Sequence, residues 1–191
     1  MTGVQTFIRD HLTQSAEIKR LTAERCSHDI ERAAAMIVEA FKAGGALLIC
    51  GNGGSAADAQ HMAAELVNRL TTDFDRRALP ALALTTDTSL LTAYANDVDF
   101  SGVFARQVQA LGRPGDVLLG ISTSGSSRNV VAAVDEARRG GLRVITLTGE
   151  RGDLAGMGDV AIRVPATSTA HIQEAHLAIE HILCHVVERG L

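Results

Sequence analysis

The sequence contains no tryptophan, and aromatic residues make up only 3% of its 191 positions. Its interior must therefore be filled by alanine, leucine, valine and isoleucine, which the 46% hydrophobic content supplies in quantity. Side chains of this size let helices and strands approach closely, as layered α/β proteins require. The length fits one domain with a full-sized core better than two small domains.

An excess of basic charge is also missing. The formal net charge is −4, and the isoelectric point is near 5.9. Domains that bind nucleic acids usually carry a basic face, so we expect no direct contact with DNA or RNA. The charge does not exclude contacts with other proteins.

Cysteine is scarce, and long apolar runs are absent. Cys26, Cys50 and Cys184 are odd in number and show no CxxC spacing, which predicts reduced, mostly buried thiols rather than a disulfide framework. No window approaches the run of about 18 apolar residues that a membrane span needs. The segment 1–15 lacks the unbroken apolar core of a signal peptide. We therefore expect a cytoplasmic protein with no membrane contact.

Short apolar runs alternate with helical patterns along the chain. The expected strands are 46–50, 80–84, 116–122, 143–148 and 160–165. The expected helices between and around them include 55–70, 100–111 and 127–140. This order predicts an α/β protein with a central parallel sheet and helices on both faces.

Both ends of the chain carry helical patterns outside that alternation. Apolar residues follow helical spacing over 4–15, and a second helical segment covers about 29–41. In the segment 170–188 the apolar residues cover more than one stripe, which is typical of a helix that is buried on more than one side. We expect these helices to pack in a bundle or a subunit interface, and the protein to be an oligomer.

Glycines follow the first strand at 51–56 (GNGGSA). This stretch matches the dinucleotide fingerprint G-x-G-x-x-A, and Asp73 or Asp75 lies near the expected spacing of about 20 residues. That acidic residue should end a second strand, however, and both aspartates fall in the polar stretch TTDFDRR. The fingerprint is therefore a weak indication of a dinucleotide site.

The same glycine turn has two other interpretations. Asn52 and the backbone amides of Gly53 and Gly54 could contact the hydroxyl groups of a polar ligand. Alternatively, the glycines serve only to make a tight strand-to-helix turn. The residues of the turn do not decide between these alternatives.

A run of hydroxyl side chains, 122–127 (STSGSS), follows a later strand and precedes a helix. Hydroxyl groups and the free amides of a helix N-terminus together form an anion site suited to a phosphate monoester. The run lacks the glycine–lysine pattern of a nucleoside-triphosphate loop, so ATP is not favoured. A serine-capped helix start is the structural alternative. Because ligands bind at the carboxyl ends of parallel strands, this run and the glycine turn are candidates for opposite walls of one site.

His61 and Glu65 lie four residues apart, so they share one face of the helix predicted for 55–70. That spacing suits metal ligands or an acid–base pair. Further ionisable and amide side chains crowd the last helix: Gln173, Glu174, His176, Glu180, His181 and His185. Any single histidine is more often a surface or core residue than a ligand, so these helices alone do not establish a site.

Four longer stretches together resemble a known family. They are CGNGGSAADAQHMAAE (50–65), AND (95–97), GDVLLGISTSGSS (115–127) and IQEAHLAIEH (172–181). In this combination the chain resembles, over nearly its whole length, the phosphoheptose isomerases, which are sedoheptulose 7-phosphate isomerases of the sugar isomerase (SIS) fold. The resemblance implies a flavodoxin-like three-layer sandwich and a homotetramer. It also implies a single SIS domain over 1–191, in which N-terminal helices over about 1–43 contribute to oligomer packing.

The resemblance further implies a reaction and its residues. D-sedoheptulose 7-phosphate is converted through an enediol to D-glycero-D-manno-heptose 7-phosphate, the first step towards the heptose of bacterial lipopolysaccharide or related glycans. Glu65 and His181 match the catalytic base and acid. One zinc ion per subunit is implied at His61, Glu65, Gln173 and His181. The positions that match substrate-binding residues are Asn52, Gly53, Gly54, Glu65, Asn96, Asp97, Ser122, Thr123, Ser124, Ser127 and Gln173.

These residue types suit the chemistry. A carboxylate can remove a proton beside a carbonyl, and an imidazole can protonate or polarise the oxygen, while zinc would stabilise the charge of an enediolate. Gln173 and His181 are eight residues apart, about 12 Å along an α-helix. Convergence on one ion from a single helix would strain both side chains. We therefore expect residues from more than one subunit to form the site.

A relative within the same fold supplies the alternative function, a tetrameric adapter without isomerase chemistry that is similar to the DnaA initiator-associating protein. The stretch 84–97 (LTTDTSLLTAYAND) resembles that adapter as much as the isomerase. The adapter pattern lacks equivalents of Glu65 and His181, and both are present here, which favours the enzyme. The pair Ala170-His171, before Ile172 and Gln173, stands where an arginine is expected in many isomerases, a difference that concerns local substrate contacts rather than the reaction type.

Overall fold

The computed structural model describes residues 2–191, in which five strands alternate with six α-helices. The helices are α1 (Gly3–Lys42), α2 (Gly54–Val67), α3 (Thr88–Asp97), α4 (Val103–Leu111), α5 (Arg128–Arg139) and α6 (Thr169–Arg189). The strands are β1 (Leu47–Cys50), β2 (Ala81–Ala83), β3 (Val117–Ser122), β4 (Arg143–Gly149) and β5 (Val160–Val164). Two 3₁₀ turns lie at Phe100–Gly102 and Asp153–Gly156.

The strands form one parallel sheet in the order β2-β1-β3-β4-β5. This is the flavodoxin-like order, whose ligand crevice lies where the order reverses, between β1 and β3. Leu47 pairs with Val117 and Cys50 pairs with Gly120, so the turns after these two strands leave the same edge of the sheet. The α/β fold expected from the sequence, with a central parallel sheet, is confirmed.

Helices cover both faces of the sheet. Successive side chains of a strand point to opposite sides, so each strand contributes to the core on either face. Leu47 and Ile49 of β1 belong to the core shared with α1, α2 and α6. Leu48 and Cys50 belong to the core shared with α4 and α5, against which α3 also packs. A strand that is covered on both faces needs a continuous apolar run, which explains why β1 has no polar position.

The N-terminal segment differs from the expectation of separate helices, since α1 is one helix of 40 residues. In its middle the buried positions are Ser15, Thr22 and Cys26, small or polar side chains that a search for apolar periodicity does not detect. Ion pairs at helical spacing, such as that between Arg20 and Glu17, support this stretch locally. The helix therefore continues where the apolar pattern lapses.

Helix α3 was not expected from the sequence. None of its residues is buried, so it offers no covered apolar stripe to a periodicity search. The helix begins at an N-cap, because the side chain of Asp87 accepts a hydrogen bond of 2.9 Å from the amide of Leu90. The helix expected over 100–111 is divided into a 3₁₀ turn and α4.

The three cysteines are free and buried, as the sequence predicted. Burial raises the pKa of the Cys50 and Cys184 thiols to about 12, so neither is a thiolate at neutral pH. Within residues 2–191, no helix combines the length and apolarity that a membrane span requires.

Candidate functional site

The turn after β1 is tied to the first turn of α5. Asn52 Nδ2 donates to Asn129 Oδ1, and Asn129 Nδ2 donates to Asn52 Oδ1, each at 2.8 Å. Gly53 has a φ of +56°, a left-handed conformation that favours glycine, and α2 begins at Gly54. The glycine turn is thereby held at a fixed position opposite the turn after β3.

The turn after β3, residues 122–127, brings together the hydroxyl groups of its serines and is called the serine loop below. Ser122 Oγ lies 2.9 Å from Ser127 Oγ and 3.3 Å from Ser124 Oγ. Ser126 donates its backbone amide and its hydroxyl to Ser124 Oγ, at 3.3 and 3.2 Å. Thr123 is partly exposed in the same loop. Because α5 begins directly after Ser127, the loop combines hydroxyl groups with the free amides of a helix N-terminus, an arrangement that binds anions.

An open cleft of about 530 Å³ lies between these two turns. Its lining residues come from both turns, from the start of α5 and from the region before α4: Asn52, Gly53, Asp99, Phe100, Ser101, Ser127, Arg128 and Asn129. The two turns are therefore opposite walls of one cleft at the switch point of the sheet, where open α/β proteins bind ligands. Arg128 brings a cationic side chain to the wall formed by the serine loop.

A second cluster lies where α2 packs against α6. His61 Nε2 is 2.9 Å from His181 Nε2 and 3.6 Å from Glu65 Oε1. The i, i+4 spacing puts His61 and Glu65 on one face of α2, and α6 brings His181 to the same nitrogen. Glu65 Oε2 is buried and accepts no hydrogen bond from any described residue. Two imidazoles and a carboxylate with a free oxygen are donors that zinc prefers.

Gln173 does not join that cluster. Its Nε2 donates to Asp58 Oδ2 at 3.2 Å. The side chain also covers Gly54, where an added Cβ would lie 2.1 Å from Gln173 Nε2. One chain therefore brings together three of the four predicted zinc ligands, while the fourth lies towards the N-terminal end of α2, about two helical turns from His181 along α6.

Two carboxyl groups between α2 and α6 have raised pKa values. Burial raises the pKa of Glu180 to about 9, and the nearby Asp58 adds to that shift. Burial also raises the pKa of Asp58, against the opposing effects of Gln173 and His61. Glu180 is therefore protonated at neutral pH, which avoids the cost of burying its charge.

Asn96 and Asp97 lie at the C-terminal end of α3, where both are exposed. Asn96 Nδ2 donates to Asp97 Oδ1 at 2.8 Å. Within the described chain, neither forms a hydrogen bond with a predicted site residue outside this pair. Their assignment to substrate stays a prediction.

Six residues of the cleft and of the α2–α6 contact were not predicted from the sequence: Asp58, Asp99, Phe100, Ser101, Arg128 and Asn129. Asn129 and Arg128 occupy the first turn after the hydroxyl run, so a polar and a basic residue at the start of that helix were the available signal. Asp58 lies three residues before His61, on the same face of α2. Its contact with Gln173 depends on how α2 and α6 align, and no local pattern records that alignment.

The dinucleotide alternative does not fit the structure. Asp73 and Asp75 lie in irregular chain between α2 and β2. The fingerprint requires its acidic residue at the end of the second strand, which here ends at Ala83. The glycine turn therefore lacks the partner that would hold a nucleotide ribose.

The parallel sheet in the flavodoxin-like order, the glycine turn after β1 and the hydroxyl loop after β3 agree with a match that places the protein among the SIS-domain proteins. The family model described as the SIS domain matches residues 10–149.

Comparison with known proteins narrows this class. The phosphoheptose isomerase of Roseiflexus sp. (strain RS-1) is 50% identical over 186 residues, which are 97% of this chain and 93% of that relative. The solved phosphoheptose isomerase of Neisseria gonorrhoeae matches with a TM-score of 0.91 and 43% identity, covering 97% of this chain and 99% of its own. The solved phosphoheptose isomerase of Francisella tularensis matches with a TM-score of 0.93 and 40% identity, covering 99% of this chain and 100% of its own. The chain belongs to the phosphoheptose isomerase family.

Proposed function

We propose that this protein is an aldose–ketose isomerase that converts D-sedoheptulose 7-phosphate to D-glycero-D-manno-heptose 7-phosphate. The observation that carries the proposal is the contact of Glu65 and His181 with the same nitrogen of His61, across α2 and α6. A carboxylate and an imidazole in this arrangement supply the base and the acid that an enediol reaction needs. Phosphoheptose isomerases that are 50% and 49% identical to nearly the whole chain support the same reaction.

The serine loop is the proposed phosphate site. The hydroxyl groups of Ser122, Thr123, Ser124 and Ser127, with the amides at the start of α5, would surround the phosphate oxygens. Arg128 adds a positive charge beside them. On the opposite wall, Asn52 and the amides of Gly53 and Gly54 would contact sugar hydroxyl groups. Asn96 and Asp97 are proposed as further substrate contacts.

The proton transfer is assigned to Glu65 and His181. The Glu65 carboxylate removes a proton from the carbon beside the carbonyl, and the electron pair of that C–H bond forms the C=C bond of the enediol. The carbonyl oxygen takes a proton from His181. His181 then takes up the proton of the other hydroxyl as that oxygen becomes the new carbonyl. Glu65 delivers its proton to the former carbonyl carbon, which gives the aldose and restores both groups. The Glu65 side chain is only 19% exposed, which limits proton exchange with water.

One zinc ion per subunit is proposed at His61, Glu65, His181 and Gln173. The free buried oxygen of Glu65 and the facing imidazole nitrogens fit such an ion. Zinc bound there would stabilise negative charge on the enediolate oxygens. A carboxylate bound tightly to zinc is a poorer base, so either Glu65 would change its coordination during turnover or the zinc would mainly organise the site. Because Gln173 bonds Asp58 within its own chain, we propose that Gln173 of a neighbouring copy completes the ligand set.

We propose that α1 and α6 assemble the protein as a homotetramer. Both helices expose large apolar side chains: Val4, Phe7, Ile8, Leu12, Leu177, Ile182 and Val186. A groove of about 440 Å³ runs between the two helices. Large apolar side chains exposed on neighbouring helices are typical of a surface that contacts another protein, and the mass of the protein in solution tests the proposal.

The cellular setting follows from the proposed reaction. Three free, buried cysteines suit a reducing compartment, so we propose that the enzyme acts in the cytoplasm. Its product would feed the heptose of lipopolysaccharide or a related glycan.

The test follows the conversion of sedoheptulose 7-phosphate by NMR in wild type, Glu65→Gln, His181→Ala and His185→Ala. His185 is the matched control, because it is also an exposed histidine on α6 and lies outside the cluster. We expect turnover by wild type and the control, and a loss of about 100-fold or more in the other two variants. Chelation should abolish wild-type turnover, and added zinc should restore it.

A negative result has a defined meaning. If the folded wild type shows no turnover with zinc present, the isomerase proposal is wrong. The non-catalytic adapter would then be the better assignment, and binding to DnaA would be the next measurement.

A further inference from the structure

Three side chains with metal-binding atoms meet where the N-terminal part of α1 lies against the start of α6. His11 Nε2 is 2.9 Å from Glu174 Oε1, and His11 Nδ1 is 3.3 Å from His171 Nε2. One ligand atom from each residue lies within 4.8 Å of the other two. Among residues 2–191, no other group of three histidine, cysteine or acidic side chains meets this criterion.

The donor types and distances suit zinc. Two imidazoles and a carboxylate form a common zinc ligand set, with a water molecule in the fourth position. With zinc–ligand bonds of about 2.0–2.1 Å, neighbouring ligand atoms of a tetrahedral site are roughly 3.3 Å apart. His11 faces Glu174 with Nε2 and His171 with Nδ1, so its ring would turn to offer one nitrogen to an ion shared with the other two donors. His171 is buried, whereas His11 and Glu174 are partly exposed, so a fourth ligand can come from solvent.

One oxygen of this cluster lacks a hydrogen bond within residues 2–191. Glu174 Oε2 is buried and accepts none, although the Ser15 side chain lies close to the same carboxylate. Gln173 precedes Glu174 but bonds Asp58 on α2, because consecutive residues of a helix project about 100° apart. This cluster and the His61 cluster therefore face different helices and share no side chain.

We propose that His11, His171 and Glu174 bind a zinc ion, distinct from the one proposed at His61, which joins the N-terminal part of α1 to α6. The ring of Phe7, one turn before His11, lies 6.0 Å from the His11 ring, centroid to centroid. The ion would thus fix the helix end that carries the exposed apolar surface of α1. Its role is structural and does not depend on the isomerase activity.

Zinc content tests the proposal directly. Protein is stripped with a chelator, equilibrated with limiting free zinc, and analysed for zinc per chain. In a variant with His61→Ala and His181→Ala, which removes the other proposed site, we expect about one zinc per chain. Adding His11→Ala or His171→Ala should weaken that binding by about 100-fold or more. Adding His28→Ala, an exposed histidine on the same helix α1, should leave it unchanged.

A second arm does not require the double variant to fold. In an otherwise wild-type chain, His11→Ala should lose one zinc per chain, whereas His28→Ala should lose none. When cobalt replaces zinc, the His11→Ala protein should lack the visible absorption that wild type shows for cobalt bound at this site. Zinc binding that is indifferent to both His11→Ala and His171→Ala would overturn the proposal. Zinc binding at these residues without any turnover would count against the proposed function alone.

Discussion

Asn52 and Asn129 form a reciprocal pair of side-chain hydrogen bonds, 2.8 Å in each direction, across the point where the strand order reverses. One asparagine follows β1, and the other lies in the first turn of α5. A primary amide has two donor hydrogens, so each side chain keeps one N–H for a ligand after the pair has formed. The pair therefore joins the glycine turn to the serine loop without using up its capacity to bind.

We expect Asn129→Ala to lower kcat/KM about 10- to 30-fold. Two neutral hydrogen bonds, worth about 0.5–1.5 kcal/mol each, are lost, and Asn52 is no longer held opposite the serine loop. Steady-state kinetics with sedoheptulose 7-phosphate measure the effect. Asn68→Ala is the control, because Asn68 is an exposed asparagine at the end of α2. Equal kinetics for the two variants would show that the pair has no part in substrate binding.

Gly54 and Gln173 allow a test of the proposed role of Gln173. An alanine at 54 would place its Cβ 2.1 Å from Gln173 Nε2, so the Gln173 side chain must move while the backbone can stay. We expect Gly54→Ala and Gln173→Ala to lower turnover to a similar level, and the double variant to be no worse than either. Gly156→Ala is the control, since nothing lies within 4 Å of a Cβ there. Additive losses would mean that Gly54 acts independently of Gln173.

The sheet could be predicted from the sequence because its strands have a simple signature. Apolar runs such as 46–50 and 116–122 appear wherever a strand is covered on both faces, and all five were found. Helix α3 could not be found in this way, since a helix without buried residues leaves no apolar stripe. The unbroken length of α1 was missed for a related reason, as its buried middle is polar or small.

The candidate site, like the fold, has parts that could be predicted from the sequence and parts that could not. Its local parts were predictable: the turn at Asn52, the hydroxyl run, and the i, i+4 spacing of His61 and Glu65. Even the separation of Gln173 from His181 follows from the rise of a helix. The contacts between elements, such as Gln173 with Asp58, depend on how two helices align after packing, and the sequence carries no local sign of that.

Gly125 is the position where a side chain would most disturb the serine loop. Its φ is +67°, and an added Cβ would lie 2.0 Å from the backbone oxygen of Arg151. We expect Gly125→Ala to lower the free energy of unfolding by about 2–4 kcal/mol, which combines the left-handed backbone cost with a backbone clash. Urea denaturation measures the change. Gly156→Ala should not be destabilised, because its Cβ enters open space; an equal loss in both variants would contradict the prediction.

His176 gives the protein a defined sensitivity to acid. The residue is fully buried in α6, and burial lowers its pKa from 6.5 to about 4, against the opposing effect of the Thr148 backbone. Between these two pH values the unfolded chain binds a proton that the native protein does not. The free energy of unfolding therefore falls as the pH drops through this window, by about 1.4 kcal/mol per pH unit and by roughly 3 kcal/mol in all.

Replacing His176 by a residue that does not titrate should remove this loss of unfolding free energy at acidic pH. We expect His176→Gln to lose less stability than wild type between pH 6.5 and pH 4.5, by about 2 kcal/mol, whatever its stability at pH 7.5. Above about pH 7.5 the difference between the two proteins should stay constant, because the ring is then neutral in both the folded and the unfolded state. Urea denaturation at several pH values measures the slopes, with His28→Gln, an exposed histidine, as the control that should follow wild type. Parallel slopes for wild type and His176→Gln would show that other groups set the acid sensitivity.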